Sequence, residues 1–402
     1  MDFGFNSEQG MWRKAVRDFA QEKVAPRVRE IDTKGEIPAE IVKGMAQMGL
    51  LALTVPEQYG GMGADWTMAC IAAEELARAD ISLAIPVLYL VEAAWGFIFA
   101  RYGSEQLKQE LLPQVCAGRA FVGIATTEPG GGSDILGATR SRAVLEDDEW
   151  VLKGEKMYIS GIRESLDMGG VHLTLLRTAD TGDHRAFTFV AVPIRDVPGI
   201  TPTFIEDMGR AGMSTGGFAM ADVRLPAHYQ VGELNRGFYH AMEGFSAART
   251  LIGATCVGAA EAGLEMGMEW IKERKAFGRP LASYEGIQFP LADLWSRLDG
   301  VRWSVYKAAW EMDRFYQEGQ GGHHDIALAA SIVKLRAPLL AWDVLNEVAD
   351  WYGAAAYSKE YPIEMGIRGV RSYSIGAEGT VNIQRLVIAR ELLGSEFMPY
   401  RN

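Results

Sequence analysis

Apolar residues recur three and four apart from Asn6 to about residue 118, which predicts a run of helices. Asn6 and Ser7 start the first, over NSEQGMWRKAVRDFAQEKVAPRVREID; PAEIVKGMAQMGLLAL follows and ends in the turn-rich PEQYGGMGADW. TMACIAAEELARAD is helical again, and Leu83 to Ala100 runs 18 residues with one charge, Glu92. Near Phe121 the period changes. FVGIATTE, SRAVLEDDEWVLKGEKMYISG, VHLTLLRTA, AFTFVAVPI, TPTFIED and FAMADVRLP alternate or run apolar in short bursts between acidic, Gly or Pro turns. They predict a compact antiparallel β unit, with a hairpin at EDDEW. From Gly237 the helical period returns, in an Ala- and Gly-rich stretch to Gly278, then over ASYEGIQFPLADLWSRLDGVRWSVYKAAWEMDRF, DIALAASIVKLRAPLLAWDVLNEVADWYG and 379–394. Four helices of this kind predict a bundle. The expected class is α+β, mainly α: an N-terminal helical domain (1–120), a middle antiparallel β domain (121–233) and a C-terminal helical bundle (234–402).

Composition narrows this picture little. With 48% hydrophobic and 23% charged residues, the 402-residue chain is an ordinary soluble globular sequence with room for two or three cores. A net charge of −12 argues against a general nucleic-acid or anionic-membrane binder. Cys70, Cys116 and Cys256 are far apart with no zinc or disulfide spacing, so buried thiols in a reducing compartment are expected. The N-terminal 20 residues read as an amphipathic helix and not a signal peptide, which points to the cytoplasm, or to the mitochondrial matrix for a mature eukaryotic form. The 83–100 stretch nearly suffices for a membrane span, but Pro86, Glu92 and Gly96 interrupt it, so a buried core helix is expected.

Two stretches stand out chemically. In YSIGAEGTVNIQRLVIARELL, Tyr373 to Leu393, small residues precede Glu378, and Gly379 allows a sharp bend. An apolar pattern with Ile383, Leu386, Val387 and Leu393 on one side follows. That places Glu378 at or just before the first turn of a helix, where the free N–H groups favour a carboxylate; the plain reading is an ordinary helix-end acid. In TTEPGGGSD, Thr126 to Asp134, three glycines after an apolar strand offer backbone N–H groups to an anion; no Gly-Lys-Ser/Thr follows, so it is not a P-loop, and the plain reading is a surface turn. GMGADW, Gly61 to Trp66, lacks the third glycine of a dinucleotide fingerprint and leads into a helix.

Together these strings resemble the acyl-CoA dehydrogenase family. EGTVNIQRLVIARELLG is similar to the family's E-G-T-x-x-I-x-R-x-x-I-A-R run, and TTEPGGGSD to T-E-P-x-x-G-S-D. KMYISG, Lys156 to Gly161, resembles K-x-[WF]-I-T-N with Tyr158, Ser160 and Gly161 substituted; ERKAFGRPLASYEGIQF, Glu273 to Phe289, resembles R-x-x-F-G…I-Q-F. DWYGAAAYSKEYPIEMGIRGVR, from Asp350, is similar to Q-x-x-G-G-x-G-[FY], with Asp350 for the glutamine and Ala354 for the second glycine. The resemblance spans nearly the whole chain in family order. It implies bound FAD. Thr127 would hydrogen-bond the flavin ring, Tyr158 would lie against it, Ser160 would sit near N5, and Ser133 would reach flavin or CoA phosphate. Ile124, Thr126, Thr380 and Asn382 would also bind the cofactor. Arg274 suits the pyrophosphate because a guanidinium can bond two oxygens at once, with Phe277 and Gln288 along the cofactor, while Gly353 and Ala354 would touch a flavin held by a neighbouring subunit. Arg249, Gly379 and Ser133 would contact the acyl-CoA; the acid usual beside that arginine is Ala248 or Ser246 here.

The implied reaction oxidises an acyl-CoA thioester between Cα and Cβ to the 2-enoyl-CoA. Glu378 would be the α-proton base, its own N–H and a flavin ribityl hydroxyl would hold the thioester oxygen, and hydride would pass from Cβ to flavin N5. Glu92 departs from a plain fatty-acid enzyme, because a lone carboxylate on the helix that lines the family's acyl pocket must be paired, protonated or facing water. It reads either as a surface or arginine-paired acid, or as a second acid/base for a short, branched, cyclic or polar acyl group. Alternatives within the resemblance are 1,4-desaturating (cyclic diene-forming), decarboxylating and oxygen-using relatives; outside it stands a flavin-free acyl-CoA-binding protein, which a colourless preparation would reveal. The family further implies electron-transferring flavoprotein as acceptor and a homotetramer built as a dimer of dimers.

Overall fold

The computed structural model describes residues 4–399. Six helices come first: α1 (Ser7–Phe19), α2 (Val28–Lys34), α3 (Ala39–Gln47), α4 (Trp66–Ala79), α5 (Ala84–Tyr102) and α6 (Glu105–Cys116). Asn6 caps α1 reciprocally with Gln9, as its sequence signature requires, and Asp65 caps α4 by accepting the Met68 N–H at 2.6 Å. The α5 helix is long and apolar enough to cross a membrane, yet 89% of its apolar window is buried inside the protein. Its first turn is closed by the buried Asp80, which accepts from Ser82 and, at 2.8 Å, from the Ile85 N–H. It is a core helix.

The middle of the chain holds β1 (Phe121–Ala125), α7 (Ile135–Ala138), β2 (Arg142–Glu146), β3 (Glu149–Ser160), α8 (Ile162–Met168), β4 (Gly170–Arg177), β5 (Phe187–Val192), β6 (Ile200–Ile205), β7 (Thr215–Pro226) and β8 (Gln230–Val231). The expected hairpin is β2–β3, closed around Asp147 and Asp148, with Asp147 at φ 52°. The sheet order is β6-β7-β3-β2-β4-β5-β8, with β1 beside β4. The expectation of a purely antiparallel unit is corrected: β1 runs parallel to β4 from Phe121↔Gly170 onward, and β2 touches β4 in parallel at Arg142↔Arg177. The intervening β2–β3 hairpin and α8 are long enough to return the chain in the same direction, which short turns cannot do. Side chains on β4 and β5 alternate: Leu173, Leu175, Phe187 and Phe189 join the helical core, while Leu176, Val190 and Val192 pack with Trp150 and Phe218 in a second core.

The C-terminal part comprises α9 (Gly237–Glu273), a small hairpin β9 (Lys275–Ala276) and β10 (Arg279–Pro280), then α10 (Glu285–Tyr316), α11 (His323–Tyr352), α12 (Ile363–Ile375) and α13 (Val381–Leu393). Small residues let α9 lie close to its neighbours; a Cβ on Gly258 would stand 2.2 Å from the Glu74 carbonyl of α4. Two readings are corrected here. The bundle has a fifth helix beyond the four expected, α12, whose buried stripe Ile363, Gly366, Gly369, Val370 and Tyr373 was hidden by its glycines, so Tyr373 and Ser374 lie in its last turn. And the apolar side of α13 is only half-buried: Ile383, Leu386 and Val387 are partly covered, Leu393 is exposed, and the fully buried residue is Gln384.

Candidate active site

The chain between α12 and α13 turns sharply. Glu378 adopts φ 57° and Gly379 φ 90°, and the Thr380 hydroxyl accepts the Ile383 N–H to start α13. Left-handed backbone is costly for a glutamate, and it persists only where the surroundings impose it. Here three helices do so. Arg249 of α9 donates Nε to the Glu378 carbonyl at 2.9 Å, Lys334 of α11 donates Nζ to the carbonyls of Tyr373 and Gly379, and Gln384 of α13 donates Nε2 to Gly379 at 3.0 Å and Glu378 at 3.3 Å. The Glu378 carboxyl keeps a partly open edge, but the surrounding protein pushes its pKa up to about 7; Arg249 and Lys334 oppose that rise. Burial in turn brings Arg249 down to about 10 and Lys334 to about 8. Lys334 and Gln384 escaped the sequence reading. The visible signal for Lys334 was a single lysine on the buried stripe of SIVKLRAPLL.

A second group stands on the β sheet. Ile124 is the half-exposed residue of an otherwise buried β1, and Thr126 and Thr127 form the corner after it. Lys156, buried, pins this corner: its Nζ donates to Glu128 Oε1 at 2.8 Å, to the Leu175 carbonyl at 2.7 Å and to the Thr126 carbonyl at 3.3 Å. Glu128 also accepts the N–H groups of Arg140 and Ser141, and the Thr127 carbonyl takes the Met157 N–H. Opposite, a bulge between Met157 and Ile159 throws Tyr158 to φ 60° with its ring exposed. Ser160 follows on the same strand. Gly161 stands where the family motif has asparagine because a Cβ there would meet the Phe121 ring at 2.3 Å, at φ 88°. Ser133 is exposed in the glycine turn, and Asn382 is exposed with its Oδ1 accepting from Arg385.

The remaining sequence candidates lie elsewhere. Arg274, Phe277 and Gln288 are exposed around the β9–β10 hairpin, and Gln288 donates to the Ala282 carbonyl. Gly353 and Ala354 end α11 at the same end of the bundle, where Trp270 stacks on Tyr352 at 4.3 Å. Arg274 follows Arg249 by 25 residues along α9, about 37 Å at the helical rise. One chain therefore does not bring this group to Glu378. Glu92 is neither a surface acid nor arginine-paired, which corrects that reading. It is buried on α5, takes the Val122 N–H of β1, leaves Oε2 without a partner, and is pushed by burial well above the usual carboxylate range. Cys70 and Cys256 are buried free thiols, whereas Cys116 is only half-buried.

A helical unit, a sheet and a helical bundle follow one another in this chain, and proteins it resembles over nearly its whole length fall in one family. Three family models match in succession: acyl-CoA dehydrogenase N-terminal domain over residues 6–119, middle domain over 123–223 and C-terminal domain over 235–393. A probable acyl-CoA dehydrogenase, YngJ of Bacillus subtilis, is 35% identical over 98% of this chain and 100% of its own. The glutaryl-coenzyme A dehydrogenase–glutaryl-CoA complex superposes with TM-score 0.90 at 28% identity, covering 98% and 97% of the two chains. A Mycobacterium smegmatis glutaryl-CoA dehydrogenase in complex with FADH2 gives 0.86 at 25% identity, covering 99% and 97%. With all three domains matched and a full-length relative above 30% identity, the chain belongs to the acyl-CoA dehydrogenase family of FAD-dependent oxidoreductases.

Proposed function

We propose that the chain oxidises an acyl-CoA thioester between Cα and Cβ and that Glu378 removes the α-proton. The observation that carries this reading is the Glu378 turn: a carboxyl held near pH 7 on backbone that three side chains force into position. A base is most useful with its pKa near the working pH. The proton moves from Cα to a Glu378 carboxylate oxygen, and the Glu378 N–H is available to the thioester oxygen as negative charge develops there. FAD, when bound, supplies the electron sink for the hydride that leaves Cβ. The half-exposed Ile124, the Thr126–Thr127 corner, Ser160 and the outward Tyr158 ring suit a planar, hydrogen-bonding cofactor, and the pinning of that corner by Lys156 holds it rigid. Thr127 and Ser160 would orient the ring, and Thr380 and Ser133 would border it.

The separation of Arg274, Phe277, Gln288, Gly353 and Ala354 from Glu378 favours a cofactor site completed by a second copy of the chain. Exposed Phe277, Phe289, Trp295 and Leu392 supply apolar surface for such an assembly. A homotetramer and electron-transferring flavoprotein as acceptor are the assembly and partner that the family resemblance implies. Arg274→Ala is expected to leave the fold intact and to lower bound flavin; unchanged flavin content would remove Arg274 from the site.

Glu92 favours a second reading for the substrate. Burial favours the neutral form of the Glu92 carboxyl, whose Oε2 has no partner; in that form it can donate a hydrogen bond, which suits a polar or cyclic acyl group, including 1,4-desaturation of a ring. Anaerobic titration of the flavin with straight-chain, branched, cyclic and dicarboxylic acyl-CoAs separates the two. Bleaching by one of these classes supports thioester oxidation and names the acyl group; flavin that no thioester bleaches would refute it. Loss of activity on a cyclic thioester but not on butyryl-CoA in Glu92→Leu would support the second reading, and equal effects would end it.

A further inference from the structure

A buried ammonium is expensive unless something needs it. Lys334 is fully buried between α9, α11 and the start of α13, and among the described residues no carboxylate lies within ion-pair distance of it. Its hydrogen bonds go instead to two backbone carbonyls, that of Tyr373 in the last turn of α12 and that of Gly379 just after the glutamate, the latter at 3.0 Å. Those two carbonyls bracket Glu378. Filling this space with methionine or leucine would serve packing at lower cost, so packing alone does not account for the lysine.

We propose that Lys334 is the positioning residue of the Glu378 turn: its ammonium ties the end of α12 to the start of α13 and so fixes where the carboxyl is presented. The proposal rests on the reading of Glu378 as the base. Arg249 and Gln384 cannot replace it, because their bonds reach only the Glu378–Thr380 side of the turn and leave the Tyr373 carbonyl unheld. The same ammonium adds positive potential beside the carboxyl. The titratable and charged groups that face Lys334 are Cys256 and Arg249 from α9 and Glu378 from the turn itself. With the lysine present, Glu378 ionises more easily than burial alone would allow.

The test uses the full-length, FAD-loaded protein and its best acyl-CoA from the titration panel. Anaerobic flavin reduction is followed from pH 6 to pH 9 in wild type, Lys334→Met, Lys334→Gln and Glu378→Gln, with flavin content and melting temperature recorded for each. In Lys334→Met the acid limb is expected to move up by about one pH unit, with the rate at pH 7 falling about fivefold, while flavin content is kept. Lys334→Gln keeps N–H donors without the charge; it should show the same limb movement and a rate above pH 8 closer to wild type. An unmoved acid limb in Lys334→Met, or a rate loss explained by lost flavin or a lower melting temperature, would overturn the proposal. Full activity in Glu378→Gln would overturn the underlying reading of the base instead, so the two failures are distinguishable.

Discussion

Holding Glu378 ionised should cost the fold stability, and Glu378→Gln should recover it. The carboxyl is raised from 4.5 to about 7, with burial the largest cause. That difference corresponds to about 3 kcal/mol between its two protonation states, and to about 2 kcal/mol once screening at its partly open edge is allowed for. The sign follows from proton linkage. Between pH 4.5 and 7 the folded state binds more protons than the unfolded chain, so the stabilisation lent by the raised pKa is complete below about 4.5 and lost as pH rises through about 7. Glutamine does not titrate. At pH 8 the variant should therefore be more stable than wild type by about 2 kcal/mol, and at pH 5.5 the gap should shrink by at least half. For a chain of 402 residues this is about 2–3 °C in melting temperature. Scanning calorimetry at both pH values, with matched protein concentration and saturating FAD, reads it directly. A variant that melts at or below wild type at pH 8, or a gap independent of pH, would refute the reasoning.

Three further outcomes follow from particular contacts. Gly258→Ala places a Cβ 2.2 Å from the Glu74 carbonyl and must push α4 from α9; thermal melting should show a loss of about 1–3 kcal/mol, and an unchanged melting temperature would count against the packing described. Glu128→Ala leaves the Lys156 ammonium buried against carbonyls alone; a destabilisation of about 3–5 kcal/mol is expected by denaturant titration, and less than about 1 would mean the pair matters little. Glu92→Gln mimics the neutral carboxyl, so its melting temperature at pH 7 should match wild type; a clear drop would show that Glu92 is ionised in the fold.

The order of helical, β and helical regions was legible because period 3.6 and period 2 differ plainly along the chain; glycine and a helix start placed Glu378 before a helix, while its role as a base came from the family resemblance alone. What escaped was long-range. The partners of Lys334 are backbone carbonyls 39 and 45 residues away, and carbonyls leave no mark in a sequence. Lys156 and Glu128 lie inside two recognised motifs, but their pairing depends on the registry of β1, β3 and β4, which no local pattern encodes. The parallel β1–β4 pair was missed for the same reason. Glycines in α12 blurred a helical stripe that is nonetheless intact. In α13 the apolar pattern pointed inward, whereas the helix turns Gln384 to the carbonyls of the Glu378 turn and leaves Leu392 and Leu393 outside. Polar bonding to a strained turn outweighed apolar burial within one chain.

The most direct test of Glu378 as the base is the rate of anaerobic flavin reduction by a saturating acyl-CoA, compared between wild type and Glu378→Gln. The glutamine variant should keep its flavin and still bind the thioester, and its reduction rate should fall by about 10²–10⁴-fold, the usual share of a positioned base. Reduction at the wild-type rate would contradict the assignment and leave the α-proton to another residue.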